Sequence, residues 1–137
     1  MPAGEDRQSG PPEGGRFPGR APVDAYGNGG FRFAGMSHRG SILMLPSAIL
    51  GWHVTRPEEI SLEALQPALA EVSSIEVLLI GTGRNLVPLD PKVKSDLEAA
   101  GLWPEVMATG AASRTYNILL AEERAVAAAL IAVDDPE

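Results

Sequence analysis

The residues of this chain best suited to chemistry fall into two short groups. Gly81-Thr82-Gly83 follows an apolar run, and Thr109, Arg114, Thr115, Asn117, Glu122 and Arg124 lie within the block from Ala108 to Val133. The first group invites a phosphate-loop reading, because glycines let backbone amides approach an anion closely. Its spacing argues otherwise. A dinucleotide fingerprint needs a third glycine where Leu86 stands, the next helix signal waits until Pro91, and no Gly-Lys-Ser/Thr follows. A strand-ending turn that uses glycine for its backbone angles accounts for the same residues. The functional reading left to them is a small-ligand edge at the carboxyl end of a strand.

Thr109-Gly110 opens a helix, so a hydroxyl and free amides there could hold an anion, although N-capping by Thr109 explains the same pair. Arg114, Asn117 and Ala121 share the helix face opposite Ala112, Tyr116 and Leu119. Arg114 on that face could clamp a carboxylate, and a solvated arginine is the plainer account. Glu122 and Arg124 read as surface charge, with Arg124 placed to meet the terminal carbonyls of the helix. His38 and His53 lie in different segments without a metal-ligand spacing, and Ser37-His38-Arg39-Gly40-Ser41 reads as a polar turn rather than a Ser/His pair, because neighbours on a strand point to opposite faces. The chain has no cysteine, which excludes disulfides, thiolate metal sites and cysteine nucleophiles. No catalytic set, metal or cofactor is expected.

The elements that must position these residues follow from pattern. Residues 1–20 are rich in Gly, Pro and charge, with Phe17 the only large apolar side chain, and are expected to be a disordered tail before one domain over 21–137. Tyr26-Gly27-Asn28-Gly29-Gly30 is a turn that leads into strands at 31–37 and 41–45, joined by a turn at 38–40, and extended structure resumes over 48–54. Residues 55–74 are helical in pattern, with Ser61 as N-cap and Pro67 shortening or kinking the helix. The apolar run 75–80 predicts a central strand covered on both faces. Asp90 and Pro91 open a helix that Gly101 closes. A strand over 103–108, a helix capped by Thr109 and a strand over 125–133 complete the alternation, with Trp52 and Trp103 as core or interface anchors.

With 137 residues the chain suits one core, and a formal net charge of −7 disfavours phosphate backbones and anionic lipid surfaces. The only basic concentration is Arg32, His38 and Arg39, which is thin, so nucleic acid is not an expected partner. No apolar run approaches the roughly 20 residues of a membrane span, and no signal or transit peptide is readable. A cytoplasmic, bacterial protein is expected.

Read in order, Gly30-Phe31-Arg32-Phe33, Ser37-His38-Arg39-Gly40-Ser41, Leu45-Pro46 with Trp52, Ile80-Gly81-Thr82-Gly83, and Thr109, Ala112, Thr115-Tyr116-Asn117, Leu119, Glu122, Arg124 and Ala128-Ala129-Leu130-Ile131 form a specific series. Over 23–133 the chain resembles the Mth-type domain family of largely unknown biochemistry. That family includes an archaeal Mth-type protein, the adipogenesis-associated Mth domain protein and a mitochondrial NADH:ubiquinone oxidoreductase (complex I) assembly factor. The resemblance implies a three-layer α/β domain with a central mixed sheet, preceded by a β-meander, whose last strand runs antiparallel to most others. It also implies an assembly role in at least one branch. Ser113 and Arg114 stand where the mitochondrial relatives have Cys and a small residue, and Ala108 where an acidic residue often precedes the threonine, which counts against a shared catalytic role. Gly81, Thr82, Gly83, Thr109, Thr115, Asn117, Glu122 and Arg124 therefore carry over only as a shared constellation.

The expected function is that of a non-enzymatic interaction or assembly factor with protein partners, or a homodimer through Trp52, Phe31 or Phe33. The alternative is a small-molecule-binding domain or unassigned enzyme with a polar pocket between residues 81–83 and the Thr109 helix start. Convergence of Gly81, Gly83, Thr109 and Asn117 in one concavity would favour the pocket.

Overall fold

The computed structural model describes residues 16–134. Nine strands appear in the order β1 (Arg16–Pro18), β2 (Ala25–Gly27), β3 (Gly30–Phe33), β4 (Met36–Arg39), β5 (Ser41–Met44), β6 (Ala48–Trp52), β7 (Val77–Gly81), β8 (Pro104–Met107) and β9 (Val126–Leu130). The α-helices are α1 (Gln66–Leu69), α2 (Pro91–Ala99) and α3 (Thr109–Ala121), with short 3-10 turns at Pro57–Glu59 and Val72–Ser74. A six-stranded mixed sheet has the order β1-β6-β5-β9-β7-β8, and the meander β2-β3-β4 forms a separate three-stranded sheet.

The central strands divide their side chains between two cores, because successive residues of a strand point to opposite faces. On one face Leu43, Leu78, Ile80, Ala127 and Ala129 pack with Leu65, Ala68, Leu97 and Leu102. On the other, Ile42, Met44, Leu79, Val126, Ala128 and Leu130 pack with Ala112 and Tyr116 of α3 and with Phe31 and Phe33 of the meander. Three layers result. Coverage of both faces explains why β9 is buried at every residue, and why alanine, a helix former in isolation, serves as strand here: small side chains let α3 approach closely.

The signals for α2 hold. Asp90 caps α2 by accepting from the Lys92 N–H at 2.9 Å, Pro91 occupies its first turn, and Gly101 follows it with a φ of 96°. Strand, helix and strand repeat twice, from β7 through α2 to β8 and on through α3 to β9. Such crossovers return the chain in its original direction, so β9 pairs parallel with β7 and antiparallel with β5. That corrects the expected orientation of the last strand, which shares its direction with β6, β7 and β8. It also corrects the expectation that the run over 75–80 is central: β5 and β9 are, and β7 lies between β9 and the edge strand β8.

Other expectations change in the amino-terminal half. Phe33 pairs with Met36, so the hairpin turns at Ala34 and Gly35, whose φ values are 52° and 76°, and not at 38–40. A two-residue loop of this kind needs positive φ at both positions, which Ala34 adopts despite its Cβ. His38 and Arg39 are consequently strand residues, and the His38 ring is buried with Nε2 3.3 Å from the Ser41 carbonyl oxygen. Between 55 and 74 the single expected helix breaks into the two 3-10 turns and α1, with Pro67 in its first turn where a missing N–H does no harm. Ser61 does cap this region, its hydroxyl accepting from the Ala64 N–H at 3.1 Å. Of the expected tail, residues 1–15 lie outside the described residues, whereas Arg16–Pro18 pairs with β6. Phe17 anchors it edge-on to Phe33 with ring centroids 5.8 Å apart.

Candidate functional site

Because β7, β8 and β9 are parallel, their carboxyl ends meet at one edge, with Gly81 level with Met107 and Leu130. The Gly81-Thr82-Gly83 turn and the start of α3 are therefore neighbours. Thr109 is not the N-cap; Ala108 is, and it makes no side-chain cap bond. The Thr109 hydroxyl instead accepts from the Gly83 N–H at 2.9 Å and donates to the Ile131 carbonyl at 2.7 Å. The Thr109 N–H donates to the Gly83 carbonyl at 2.8 Å, and Ile131 N–H to Gly81 carbonyl at 3.0 Å. A Cβ at Gly81 would stand 2.9 Å from both Cα and Oγ1 of Thr109. Glycine is required there for close approach, not for an anion.

Thr82 closes the other side of the same knot. Its N–H donates to the Met107 carbonyl at 2.9 Å, its hydroxyl donates to the Asn85 carbonyl at 2.7 Å, and that oxygen accepts from the Val87 N–H at 2.9 Å. Thr82 and Thr109 are buried. The Thr82 and Thr109 hydroxyls, the Thr82 and Gly83 N–H groups and the Gly81 and Gly83 carbonyls are thus bonded within the fold, the inward arrangement that satisfies buried backbone groups. A cavity of about 290 Å³ opens beside this turn, lined by Thr55, Thr82, Gly83, Arg84, Ile131 and Asp134 among others.

The remaining candidates disperse. Asn117 is a clamp: its Oδ1 accepts from the Val23 N–H and its Nδ2 donates to the Val23 carbonyl, both at 2.8 Å, as a neighbouring strand would. Arg20 adds a bond to the Arg124 carbonyl at 2.8 Å, so the segment between β1 and β2 is stitched across α3. Thr115 points its hydroxyl at Met107 Sδ, 3.7 Å away. Arg114 and Glu122 are exposed. Arg124 does not turn back onto the helix carbonyls; it pairs with Glu76 at 3.1 Å, and that guanidinium holds the Glu76 carboxyl below its ordinary pKa. Tyr116 and Ser113 keep buried hydroxyls that have no hydrogen-bond partner among the described residues, and burial pushes the Tyr116 phenol up to about 12. The polar constellation is therefore several separate structural ties, not one concavity.

The surface offers what the pattern of polar residues did not. Trp103 and Leu86 are each 57% exposed and Val87 39%. Trp103 and Leu86 line a groove along the edge strand β8 with Pro88, Leu89, Pro104 and Val106, and Lys94, Glu98 and Glu105 add charge to it. Trp103 is legible as an anchor beside Pro104; that Leu86 joins it is not, because Leu86 lies in a loop with no period to read. By contrast Trp52, Phe31 and Phe33 are core residues, which removes them as a homodimer surface. Among the described residues no group of three or more His, Cys, Asp or Glu could hold a metal ion, and no helix is long and apolar enough to cross a membrane.

Residues 23–131 match the family model described as a protein of unknown function (DUF498/DUF598). The chain belongs to this family. It is 38% identical over 115 residues to an uncharacterized protein of Rhodobacter capsulatus, covering 84% of this chain and 87% of that one. It is 36% identical over 109 residues to NADH dehydrogenase [ubiquinone] 1 alpha subcomplex assembly factor 3 of Xenopus tropicalis, where the match covers 80% of this chain but only 60% of the relative. Among solved structures, an outer membrane protein from Bartonella henselae superposes with a TM-score of 0.82 at 55% identity, over 86% of this chain and 99% of that one. A Mth938-like domain from Bordetella pertussis gives a TM-score of 0.73 at 36% identity, over 84% of this chain and 88% of that one. The Mth-type resemblance read from the motifs and these similarities agree, and the family includes proteins named as complex I assembly factors.

Proposed function

We propose that this member of the DUF498/DUF598 family is a non-enzymatic interaction module that docks onto a protein partner while a membrane respiratory complex is assembled. The observation that carries the reading is the groove beside β8 that holds the exposed side chains of Trp103 and Leu86. Exposed aromatic and aliphatic side chains grouped around an open strand edge are the features of a binding surface, and Trp is the residue most often energetically dominant at one. The closure of the Gly81-Thr82-Gly83 and Thr109 junction supports the same reading, since its hydroxyls are already bonded within the fold. The assembly setting comes from the relatives named as assembly factors.

Gentle affinity purification from the native organism tests this, with wild type beside Trp103→Ser/Leu86→Ser. A stoichiometric partner that copurifies with wild type and is lost at least about tenfold in the double variant is the expected result, because truncating a central interface aromatic commonly costs 2 kcal/mol or more. Recovery of the wild-type protein alone in repeated preparations would end the proposal. A second reading, a small-molecule site, is favoured by the cavity beside Gly83. A thermal-shift screen of nucleotides, sugar phosphates and carboxylates that stays flat removes it.

A further inference from the structure

The meander β2-β3-β4 has one face in the core and one in solvent. Register fixes which residues share the outer face: Ala25 lies opposite Arg32, Gly27 opposite Gly30, Arg32 opposite Ser37 and Gly30 opposite Arg39, and residues directly opposite in an antiparallel pair point the same way. Tyr26, Phe31 and His38 fall on the other face, where Phe31 and His38 are buried. The outer face therefore presents Arg32, Arg39 and Ser37 above Ala25, Gly27 and Gly30. Small residues leave a trough there of about 590 Å³. Both arginines are exposed, and neither guanidinium makes a hydrogen bond or ion pair among the described residues, as is true of Arg114 on α3, whereas Arg16, Arg20, Arg56 and Arg124 do.

Arg32 and Arg39 are diagonal neighbours on adjacent strands, a placement that sets such residues roughly 7–8 Å apart, their Cβ atoms somewhat closer. Two positive forks at that spacing repel each other, and a doubly charged oxyanion bridging them removes the repulsion. The planar guanidinium matches phosphate geometry bidentately, and a serine hydroxyl adds a donor on the same side. The setting sharpens the point. The chain has a formal net charge of −7, so the pair is a local exception in a field that otherwise repels anions. A carboxylate, with one charge, balances one arginine; a phosphate monoester, close to −2 at neutral pH, balances both.

We infer that the outer face of the β2-β3-β4 sheet is an oxyanion site in which Arg32 and Arg39 grip a phosphate monoester, with Ser37 as a hydroxyl donor and the substituent lying in the trough over Gly27. It is independent of the docking edge at β8, which belongs to the other sheet, so either assignment can fail without the other.

The test is an NMR titration of the full, 15N-labelled chain with inorganic phosphate at constant ionic strength, followed by phosphoserine. Flotation with phosphatidylcholine vesicles, with and without phosphatidic acid, tells a free phosphate from a lipid-borne one. The expected result is saturable shifts confined to residues 25–39, at least about tenfold weaker in Arg32→Gln/Arg39→Gln, since two charge-assisted contacts are removed. Stronger binding of phosphoserine, or of the phosphatidic acid vesicles, supports the site and names the source of its phosphate. Both positions are exposed, so the urea midpoint of the variant should match wild type, and Arg32→Lys/Arg39→Lys should bind between the two because charge remains without the fork. Shifts that stay linear, that spread to Lys92 and Arg56, or that survive unchanged in the glutamine variant overturn the inference.

Discussion

Replacing Thr109 with valine keeps the shape and β-branching of the side chain and removes one atom's chemistry. The hydroxyl is inaccessible to solvent, accepting from Gly83 and donating to Ile131. Valine leaves a buried N–H and a buried carbonyl without that partner. Each stranded group costs about 1–3 kcal/mol, so the pair predicts a loss of about 2–6 kcal/mol, a large part of the roughly 5–15 kcal/mol by which a domain is stable. Thr109→Ser keeps both bonds and loses one buried methyl group, for about 1 kcal/mol. Urea denaturation followed by circular dichroism separates them. With a slope of about 1–3 kcal/mol per molar urea, the valine variant should unfold at least about 0.7 M earlier than wild type, and the serine variant should stay closer to wild type than the valine variant. A serine variant as unstable as the valine variant, or a valine variant within about 0.5 kcal/mol of wild type, a margin typical of uninvolved surface positions, refutes the argument that this hydroxyl ties the three strand ends together.

Two further outcomes follow from the same structure. Asn117→Ala removes both bonds to Val23, which predicts a loss of about 1–3 kcal/mol and faster hydrogen exchange at the Val23 amide; unchanged protection there refutes the clamp. For Tyr116, burial raises the phenol from its ordinary value of 10.0 to about 12. The neutral form is favoured in the folded state, so the unfolded chain releases its proton first as pH rises. Stability is then level below about pH 10 and falls between about pH 10 and 12 by up to roughly 2–3 kcal/mol. Tyr116→Phe should shrink that alkaline loss without destabilising at neutral pH, since the hydroxyl it deletes has no hydrogen-bond partner among the described residues; equal alkaline losses in both proteins count against it.

How much could be read beforehand depended on how local the deciding interactions are. Asp90, Pro91 and Gly101 announce α2 because caps act within one turn of their own helix. The apolar run ending at Ile80 announces a strand covered on both faces, since composition carries burial directly. The hairpin turn at Ala34 and Gly35 is not legible in the sequence, because alanine is disfavoured at positive φ and Gly40 offers a more conventional turn nearby. Phe17 lies in a stretch whose composition lacks the apolar surface to fold, yet one aromatic contact with Phe33 and pairing to β6 hold Arg16–Pro18 in the sheet.

The candidate site shows the same division more sharply. Sequence identified Gly81, Thr82, Gly83, Thr109 and Asn117 as polar residues in special places, and the family to which they belong. It could not separate a helix cap from a cross-strand tie at Thr109, whose partners Gly83 and Ile131 are 26 and 22 residues away, or foresee that Asn117 would hold Val23 across 94 residues. Arg32 and Arg39 were visible as a thin basic concentration, and only strand register places both on one solvent-facing surface. Composition and local pattern determined the α/β class and the absence of cysteine chemistry, and the order of the motifs carried the family resemblance, whereas the parallel pairing of β9 with β7 came only from the structure. Tertiary structure decided which polar atoms are spent and which charges stay open, because hydrogen-bond satisfaction and the face of a strand are set by partners distant in the chain.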